Sequence, residues 1–290
     1  MTPPCRASAT PVAPAPSLRS ALAVVARSLR PVRLRKAVDR HALERWRHRL
    51  PAPGPLRTVH ALVRDDAAAP LRLVLVHGTP GEAAGWSAFL QQPPPGFAVT
   101  AVDRPGFGQA VGAGAQTQLA VQAQAVAACC RADARPVVLM GHSYGGAVTA
   151  HAAVDLAGDR AARVAALVLV AASLDPDLER VHPLQRLGQW PPLRALLPRP
   201  IRHANDELMA LRDELTALAP RLARIRCPVV IVHGTDDDLV PPANVAFLQR
   251  HLRAAGCVRT VLLPGQRHFL PWSAEPDLRA VLQSLEPGRC

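Results

Sequence analysis

The stretch Gly141-His142-Ser143-Tyr144-Gly145 decides the fold of this chain. An aliphatic run at 136–140 precedes it, and a run of small residues at 146–154 follows it. The first run is typical of a buried strand and the second of a helix, so the serine lies on a strand-to-helix turn. The flanking glycines carry no Cβ atoms that would clash, which lets the serine adopt a strained turn with its hydroxyl exposed. This pattern predicts that Ser143 is a nucleophile; the alternative is a glycine-rich turn without chemistry.

A nucleophilic serine needs a base to take its proton and an acid to orient that base, and candidates for both follow later in the chain. The aliphatic run 229–232 leads into the acidic turn Asp236-Asp237-Asp238, which supplies an acid after a strand. His268 follows another aliphatic run and a Pro-Gly turn near the C-terminus, in a loop that suits the base. The chain order serine, aspartate, histidine is the one that accompanies this type of turn.

Apolar runs alternate with helical segments from Thr58 onward. Most of the runs are nearly continuous, as in a parallel sheet that is covered on both faces. The alternation predicts an α/β fold with a doubly wound, mostly parallel sheet, in which ligands bind beyond the carboxyl ends of the strands. The predicted strands are 71–76, 97–102, 137–140, 166–171, 229–232 and 260–263, and the predicted helices are 119–131, 147–156 and 243–255.

The interval 174–226 interrupts this alternation. It is rich in leucine, proline and arginine and contains a helical stretch at 206–218. A structureless loop of this length is unusual in a compact domain, so the interval predicts a small helical cap inserted over the carboxyl edge of the sheet. An ordinary long crossover is the alternative. Asn205 and Glu207 are interpreted as surface residues near a helix start.

The net charge of +12 is concentrated at the N-terminus. The first 57 residues hold twelve basic and two acidic residues, whereas the remainder holds twenty-two and twenty. No basic groove is therefore expected in the globular part, and nucleic acid is not a predicted partner.

The prolines at 51–55 predict a boundary between a basic arm, 1–57, and the main domain, 58–290. The arm is expected to be disordered at first and then helical at 17–30 and 32–50. Such an arm can lie on an anionic membrane surface, pack on its own domain or remain a solvated tail. The last two are favoured because its apolar stripe is short.

Several other classes of site are not indicated. The six cysteines show no C-x-x-C pair or metal-ligand spacing, no phosphate-binding loop is present, and no apolar run approaches 18 residues. The expectation is a cytoplasmic protein with reduced cysteines, at most peripheral to the inner membrane, that binds a small-molecule substrate and needs no metal or cofactor. The oligomeric state is left open.

Four blocks together resemble the α/β-hydrolase superfamily, in particular its small capped bacterial members. They are 77–81 with Trp86, 103–108, the serine turn, and 234–241 with His268. Their joint order covers 58–290 and is far more specific than any block alone. The resemblance implies the α/β-hydrolase fold and a catalytic triad of Ser143, His268 and Asp237, because the acid of this family follows the strand-ending glycine by three residues. Some members carry the acid after the preceding strand, where Asp175 is the candidate.

The resemblance also implies an oxyanion hole made of two backbone amides. One is the amide after the nucleophile, that of Tyr144, and the other comes from the loop after an early strand, where Thr79 follows His77-Gly78. Pro80 has no N–H to donate. For Thr79 the alternative is a plain turn. Arg104 is expected to form a salt bridge, and His142 is expected to be structural.

The function that the resemblance implies is a serine hydrolase cleaving a small or medium, mostly apolar carboxylic ester through an acyl-enzyme. Acyltransferases, C–C bond hydrolases, aminopeptidases and haloperoxidase-like enzymes share the same motifs, so these uses of the site stay open. A non-catalytic ligand receptor is a further alternative. A serine at the nucleophile position argues against a dehalogenase or an epoxide hydrolase.

Overall fold

One mixed sheet organises the part of the chain that the computed structural model describes, residues 40–285 except Pro53 and Arg160. In this part the sheet has eight strands, in the order β1-β2-β4-β3-β5-β6-β7-β8. Strand β2 pairs antiparallel with both of its neighbours, and all other neighbouring strands run parallel. The strands are β1 (Arg47–Pro51), β2 (Thr58–Arg64), β3 (Leu71–Val76), β4 (Phe97–Asp103), β5 (Val137–His142), β6 (Val164–Val170), β7 (Val229–Gly234) and β8 (Val258–Leu263).

Helices cover both faces of the sheet, which explains why the central strands are apolar along their whole length. Strands β4, β5 and β7 are buried at every position. The helices are α1 (Arg40–Arg45), α2 (Ser87–Gln91), α3 (Leu119–Arg131), α4 (Tyr144–Asp155), α5 (Pro183–Leu187), α6 (Pro191–Leu196), α7 (Arg199–Leu218), α8 (Ala243–His251), α9 (Leu270–Ser273) and α10 (Glu275–Gln283). Apolar side chains of α3, α4, α7 and α8 form one core cluster, and those of α1, α2 and α10 form another. The doubly wound, mostly parallel sheet predicted from the sequence is therefore confirmed.

The predicted strands are all present, and two strands were not predicted. β1 is exposed and contains Arg47, His48 and Arg49, so it lacks the apolar run by which a strand is recognised. Charged side chains are common on such edge strands because they discourage pairing with another chain. β2 was missed as well, since its polar and apolar residues are mixed.

The N-terminal arm lies mostly outside the described residues, including the predicted helix 17–30. Of the stretch 32–50, expected to be helical, the described part forms the short α1 and then the strand β1. Because β1 pairs with β2 along its whole length, the sheet begins at Arg47, inside the segment assigned to the arm.

The segment 174–226, here called the insertion, contains α5, α6, α7 and a 3-10 helix, Ala219–Arg224. In α7, Leu211, Leu215 and Leu218 are buried in the core cluster that also contains α4. The first half of α7 lies against the loop that follows β4, where His203 Nδ1 is 2.8 Å from the Gly106 carbonyl oxygen. The insertion therefore packs at the carboxyl edge of the sheet.

The cysteines differ from one another. Cys129, Cys130 and Cys227 have free thiols, and burial raises the pKa of Cys129 to about 12 and that of Cys227 to about 11. Cys257 is disulfide-bonded, which corrects the expectation that all cysteines are reduced. In the described part of the chain, no helix is long and apolar enough to cross a membrane.

His142, the last residue of β5, connects this strand to the loop that follows β8. Its buried ring donates from Nε2 to the carbonyl oxygen of His268 at 2.9 Å and lies edge-on against the ring of Trp272. Burial is the largest influence and lowers the pKa of His142 to about 3, although the hydrogen bond to the His268 carbonyl acts in the opposite direction. The ring is therefore neutral at neutral pH and has the structural role that the sequence indicated.

This neutral ring predicts that stability falls on acidification. An unfolded histidine has a pKa near 6.5, so between about pH 6.5 and pH 3 the unfolded state binds the extra proton and the free energy of unfolding decreases as the pH falls. Between pH 7 and pH 5, His142 should account for about 2 kcal/mol of this decrease. Urea unfolding at both pH values should show a decrease smaller by that amount in His142→Gln, whose amide can still donate to His268. Equal decreases in the two proteins would contradict this account.

Candidate active site

Ser143 lies on the sharp turn between β5 and α4. Its backbone has φ 57° and ψ −127°, a region that residues with a side chain seldom occupy. Three backbone hydrogen bonds hold it there: its N–H donates to the Val170 carbonyl oxygen at 3.0 Å, and its own carbonyl accepts from the N–H groups of Gly146 and Ser173 at 2.8 and 3.4 Å. The turn leaves the side chain partly exposed while its neighbours are buried. The strained turn expected from the sequence is therefore present at Ser143.

The loop that follows β3 packs backbone-to-backbone against this turn. A Cβ atom on Gly145 would lie 2.4 Å from the His77 carbonyl oxygen, and one on Gly78 would lie 2.9 Å from Ser143 Cβ. Real Cβ atoms essentially never come so close to other heavy atoms. The two glycines are therefore needed to bring the β3 loop beside the serine.

Ser143, His268 and Asp237 form a hydrogen-bonded chain. His268 Nε2 is 2.9 Å from Ser143 Oγ, and His268 Nδ1 is 2.8 Å from Asp237 Oδ2. Since a carboxylate only accepts, Nδ1 carries the proton, which leaves Nε2 as the acceptor of the serine O–H. The three residues follow β5, β7 and β8, which run parallel, so their carboxyl ends meet at one edge of the sheet. The structure thus brings together the three side chains that the sequence singled out.

Asp237 is fixed by the turn in which it lies. Its Oδ1 accepts from the N–H groups of Leu239 and Val240, at 3.0 and 2.9 Å. His233 closes the same turn, because its Nε2 donates to the Val240 carbonyl oxygen at 2.9 Å. Burial lowers the pKa of His233, which keeps this ring neutral beside the carboxylate.

The other candidate acids have different surroundings. Asp236 and Asp238 flank Asp237 but are exposed. The Asp175 carboxylate accepts from the Asp177 N–H at 3.0 Å and thus stabilises its own turn. Only Asp237, of these four aspartates in the described residues, is hydrogen-bonded to His268.

Thr79 and Tyr144, whose amides the family pattern singles out, both adjoin the serine. Tyr144 is the next residue in the chain, and Thr79 follows Gly78, on which a Cβ atom would lie 2.9 Å from Ser143 Cβ. In the part of the chain that the structure describes, neither N–H donates to a backbone carbonyl. Two amides beside a nucleophile can stabilise an oxyanion that forms there.

A buried ion pair lies behind the β3 loop. Arg104 and Glu207 both have fully buried side chains, and two hydrogen bonds of 2.7 and 3.1 Å join the guanidinium to the carboxylate. The guanidinium also lies over the rings of Phe107 and Tyr144, at 4.7 and 4.6 Å from their centroids. Burial raises the pKa of Glu207, and Arg104 acts in the opposite direction. Arg104 therefore forms the salt bridge expected of it.

The structure corrects the interpretation of Glu207 as a surface residue, because its side chain is fully buried. It lies on α7 at the spacing of the buried Leu211, Leu215 and Leu218, and this spacing was the signal by which its burial could have been recognised. Its partner Arg104, by contrast, is 103 positions away and could not be identified from any local pattern. Asn205 is partly buried and donates to the Gln185 carbonyl oxygen at 2.9 Å, within the insertion.

Among the described residues, no group of three or more His, Cys, Asp or Glu side chains could hold a metal ion. What the site does provide is a hydroxyl, a base in the correct tautomer and amide donors. This combination suits nucleophilic acyl transfer.

Comparison with known proteins identifies the family to which the chain belongs. The sequence model described as the alpha/beta hydrolase family matches residues 73–280. No curated protein matches the chain significantly.

Solved structures share the fold at low identity. Est816, described as an N-acyl homoserine lactone degrading enzyme, has a TM-score of 0.64 and 17% identity over 81% of this chain and 99% of its own. A thermophilic esterase from Thermogutta terrifontis has a TM-score of 0.61 and 20% identity over 82% and 96%. A membrane phospholipase A described as a bacterial virulence factor has a TM-score of 0.59 and 21% identity over 92% and 96%. Since the family model covers well over half of the chain, this protein is an enzyme of the alpha/beta hydrolase family.

Proposed function

We propose that this enzyme is a serine hydrolase that cleaves a small or medium, mostly apolar carboxylic ester through an acyl-enzyme. The observation that carries the proposal is the unbroken chain of hydrogen bonds from Ser143 through His268 to Asp237, with distances of 2.9 and 2.8 Å. The similar structures described as an esterase and as a lactone degrading enzyme support the same class of substrate.

The first half of the reaction forms the acyl-enzyme. Ser143 Oγ attacks the ester carbonyl carbon while its proton passes to His268 Nε2, and Asp237 stabilises the imidazolium that results. The carbonyl oxygen becomes an oxyanion that accepts hydrogen bonds from the N–H groups of Thr79 and Tyr144. Collapse of the tetrahedral intermediate breaks the bond to the alkoxy oxygen, which takes the proton from His268 and leaves as the alcohol.

The second half releases the acid. Water takes the place of the alcohol, and His268 removes its proton as the water attacks the acyl carbonyl. The second tetrahedral intermediate collapses, Ser143 Oγ regains the proton from His268, and the carboxylic acid leaves. Esters of p-nitrophenol with graded acyl chains would identify the preferred acyl length.

Removal of the nucleophile should abolish the reaction. Ser143→Ala is expected to lose measurable hydrolysis of p-nitrophenyl esters and covalent labelling by a fluorophosphonate, because both need the Oγ atom. The matched control is Ser173→Ala, which removes a nearby hydroxyl that donates to Glu179 and, among the described residues, is hydrogen-bonded to no histidine. The control should keep turnover and labelling. Full ester turnover in Ser143→Ala would refute the proposal.

The identity of the acid can be tested by a matched pair of variants. Asp237→Asn should lower kcat for a p-nitrophenyl ester by about 10⁴-fold, because an amide favours the wrong histidine tautomer and cannot stabilise the imidazolium. Asp175→Asn should stay within about threefold of the unsubstituted enzyme, since this carboxylate contacts a turn amide. Steady-state kinetics on both variants measures the difference. A larger loss in Asp175→Asn would assign the acid to the loop after β6 instead.

A further inference from the structure

Both polar groups of the peptide unit between Gly78 and Thr79 have a specific role. The Gly78 carbonyl oxygen accepts from Arg104 Nη2 at 3.0 Å and from His77 Nδ1 at 2.8 Å. The Thr79 N–H, on the other side of the same peptide unit, is the proposed oxyanion donor. In a planar trans peptide the C=O and N–H bonds point in opposite directions. The two bonds that hold the Gly78 oxygen therefore also fix the direction of the Thr79 N–H.

Arg104 is itself held in one orientation. Its backbone N–H donates to His77 Nε2 at 3.1 Å, and its Nε donates to the His77 carbonyl oxygen at 3.0 Å. Since His77 Nε2 accepts, His77 Nδ1 carries the proton and donates to the Gly78 oxygen. Burial lowers the pKa of His77 well below its usual value, and Arg104 acts in the same direction, so the ring keeps this single proton.

The remaining guanidinium donors connect the loop to the insertion. Arg104 Nη1 and Nη2 donate to the two carboxylate oxygens of Glu207 on α7, and Gln122 of α3 donates to the same carboxylate at 2.7 Å. A guanidinium in a site that excludes water needs such a counter-charge to stay in place. Without it, Arg104 would gain by turning toward water and would leave the Gly78 oxygen.

We propose that Glu207, acting through Arg104, is a positioning residue that sets the direction of the Thr79 N–H. The packing of the insertion helix α7 is then a condition for full stabilisation of the oxyanion. This inference rests on the proposed function, because it assumes that the Thr79 amide faces a developing oxyanion. Glu207 contacts no reacting atom in this scheme.

The test compares Glu207→Gln with Asp206→Asn. Asp206 is the adjacent residue of α7 and pairs with Arg194 inside the insertion, at 2.6 Å, so its substitution removes a neighbouring ion pair without touching the β3 loop. Loss of a whole oxyanion donor lowers kcat by about 10²–10³-fold, so a misdirected donor in Glu207→Gln should lower kcat by about 10–100-fold with KM changed less than about threefold. Asp206→Asn should stay within about twofold of the unsubstituted enzyme in both constants.

A second measurement separates positioning from mere loss of folded enzyme. A trifluoromethyl ketone forms a tetrahedral adduct with the serine whose oxyanion needs the same two amides. The inhibition constant of this ketone does not depend on the fraction of active molecules. The affinity of the ketone should fall in Glu207→Gln by the same factor as kcat/KM. Active-site titration with a fluorophosphonate sets the enzyme concentration for kcat. A fall in the titrated fraction alone, with kcat per site and adduct affinity unchanged, would show a structural role and overturn the inference.

A third variant covers the case in which Glu207→Gln does not fold. Arg104→Met combined with Glu207→Leu replaces the ion pair by apolar groups of similar volume, which buried sites often tolerate, and removes the bond to the Gly78 oxygen. It should show the same loss of kcat and of adduct affinity.

If the unsubstituted enzyme turns over esters and labels at Ser143 while these variants behave like it, the positioning role is wrong and the proposed function stands. If the unsubstituted enzyme neither turns over nor labels, the proposed function fails first and this inference with it.

Discussion

The strained backbone at Ser143 is the constraint on which the rest of the site depends. A residue with a side chain at positive φ needs partners that offset the strain, and here the Val170 carbonyl and the Gly146 N–H supply them. The sharp turn at Ser143 also lies so near to the β3 loop that only glycine fits at 78 and 145. The strain at Ser143, the glycines at 78 and 145 and the close approach of the two loops therefore depend on one another.

Parallel strand pairing determines where the other groups arrive. β5 and β7 both pair with β6, and β8 pairs with β7, so the residues after their carboxyl ends share one edge. Neutral histidines then fix the loops: His142 donates to the carbonyl of His268, and His233 closes the turn that holds Asp237. Burial lowers the pKa of both rings, which lets them act as uncharged donors next to the triad.

How far a residue could be predicted depended on whether its signal was local. Ser143 and its turn could be recognised because a strand, two glycines and a helix are adjacent in the chain, and Asp237 because it follows a strand-ending glycine at a fixed distance. β1 was missed because an exposed edge strand has no apolar run. The disulfide of Cys257 was missed as well, since no cysteine spacing in the sequence indicated one.

The sequence by itself determined the strands β3 to β8, the turn at 143 and the order of the three candidate triad residues, because each is encoded by neighbouring residues or by a family pattern. Only the tertiary structure decided that Glu207 pairs with Arg104 and that their contact reaches the Gly78–Thr79 peptide. The physical reason is that this pair joins residues 103 positions apart, which meet only when α7 packs against the loops at the carboxyl edge of the sheet.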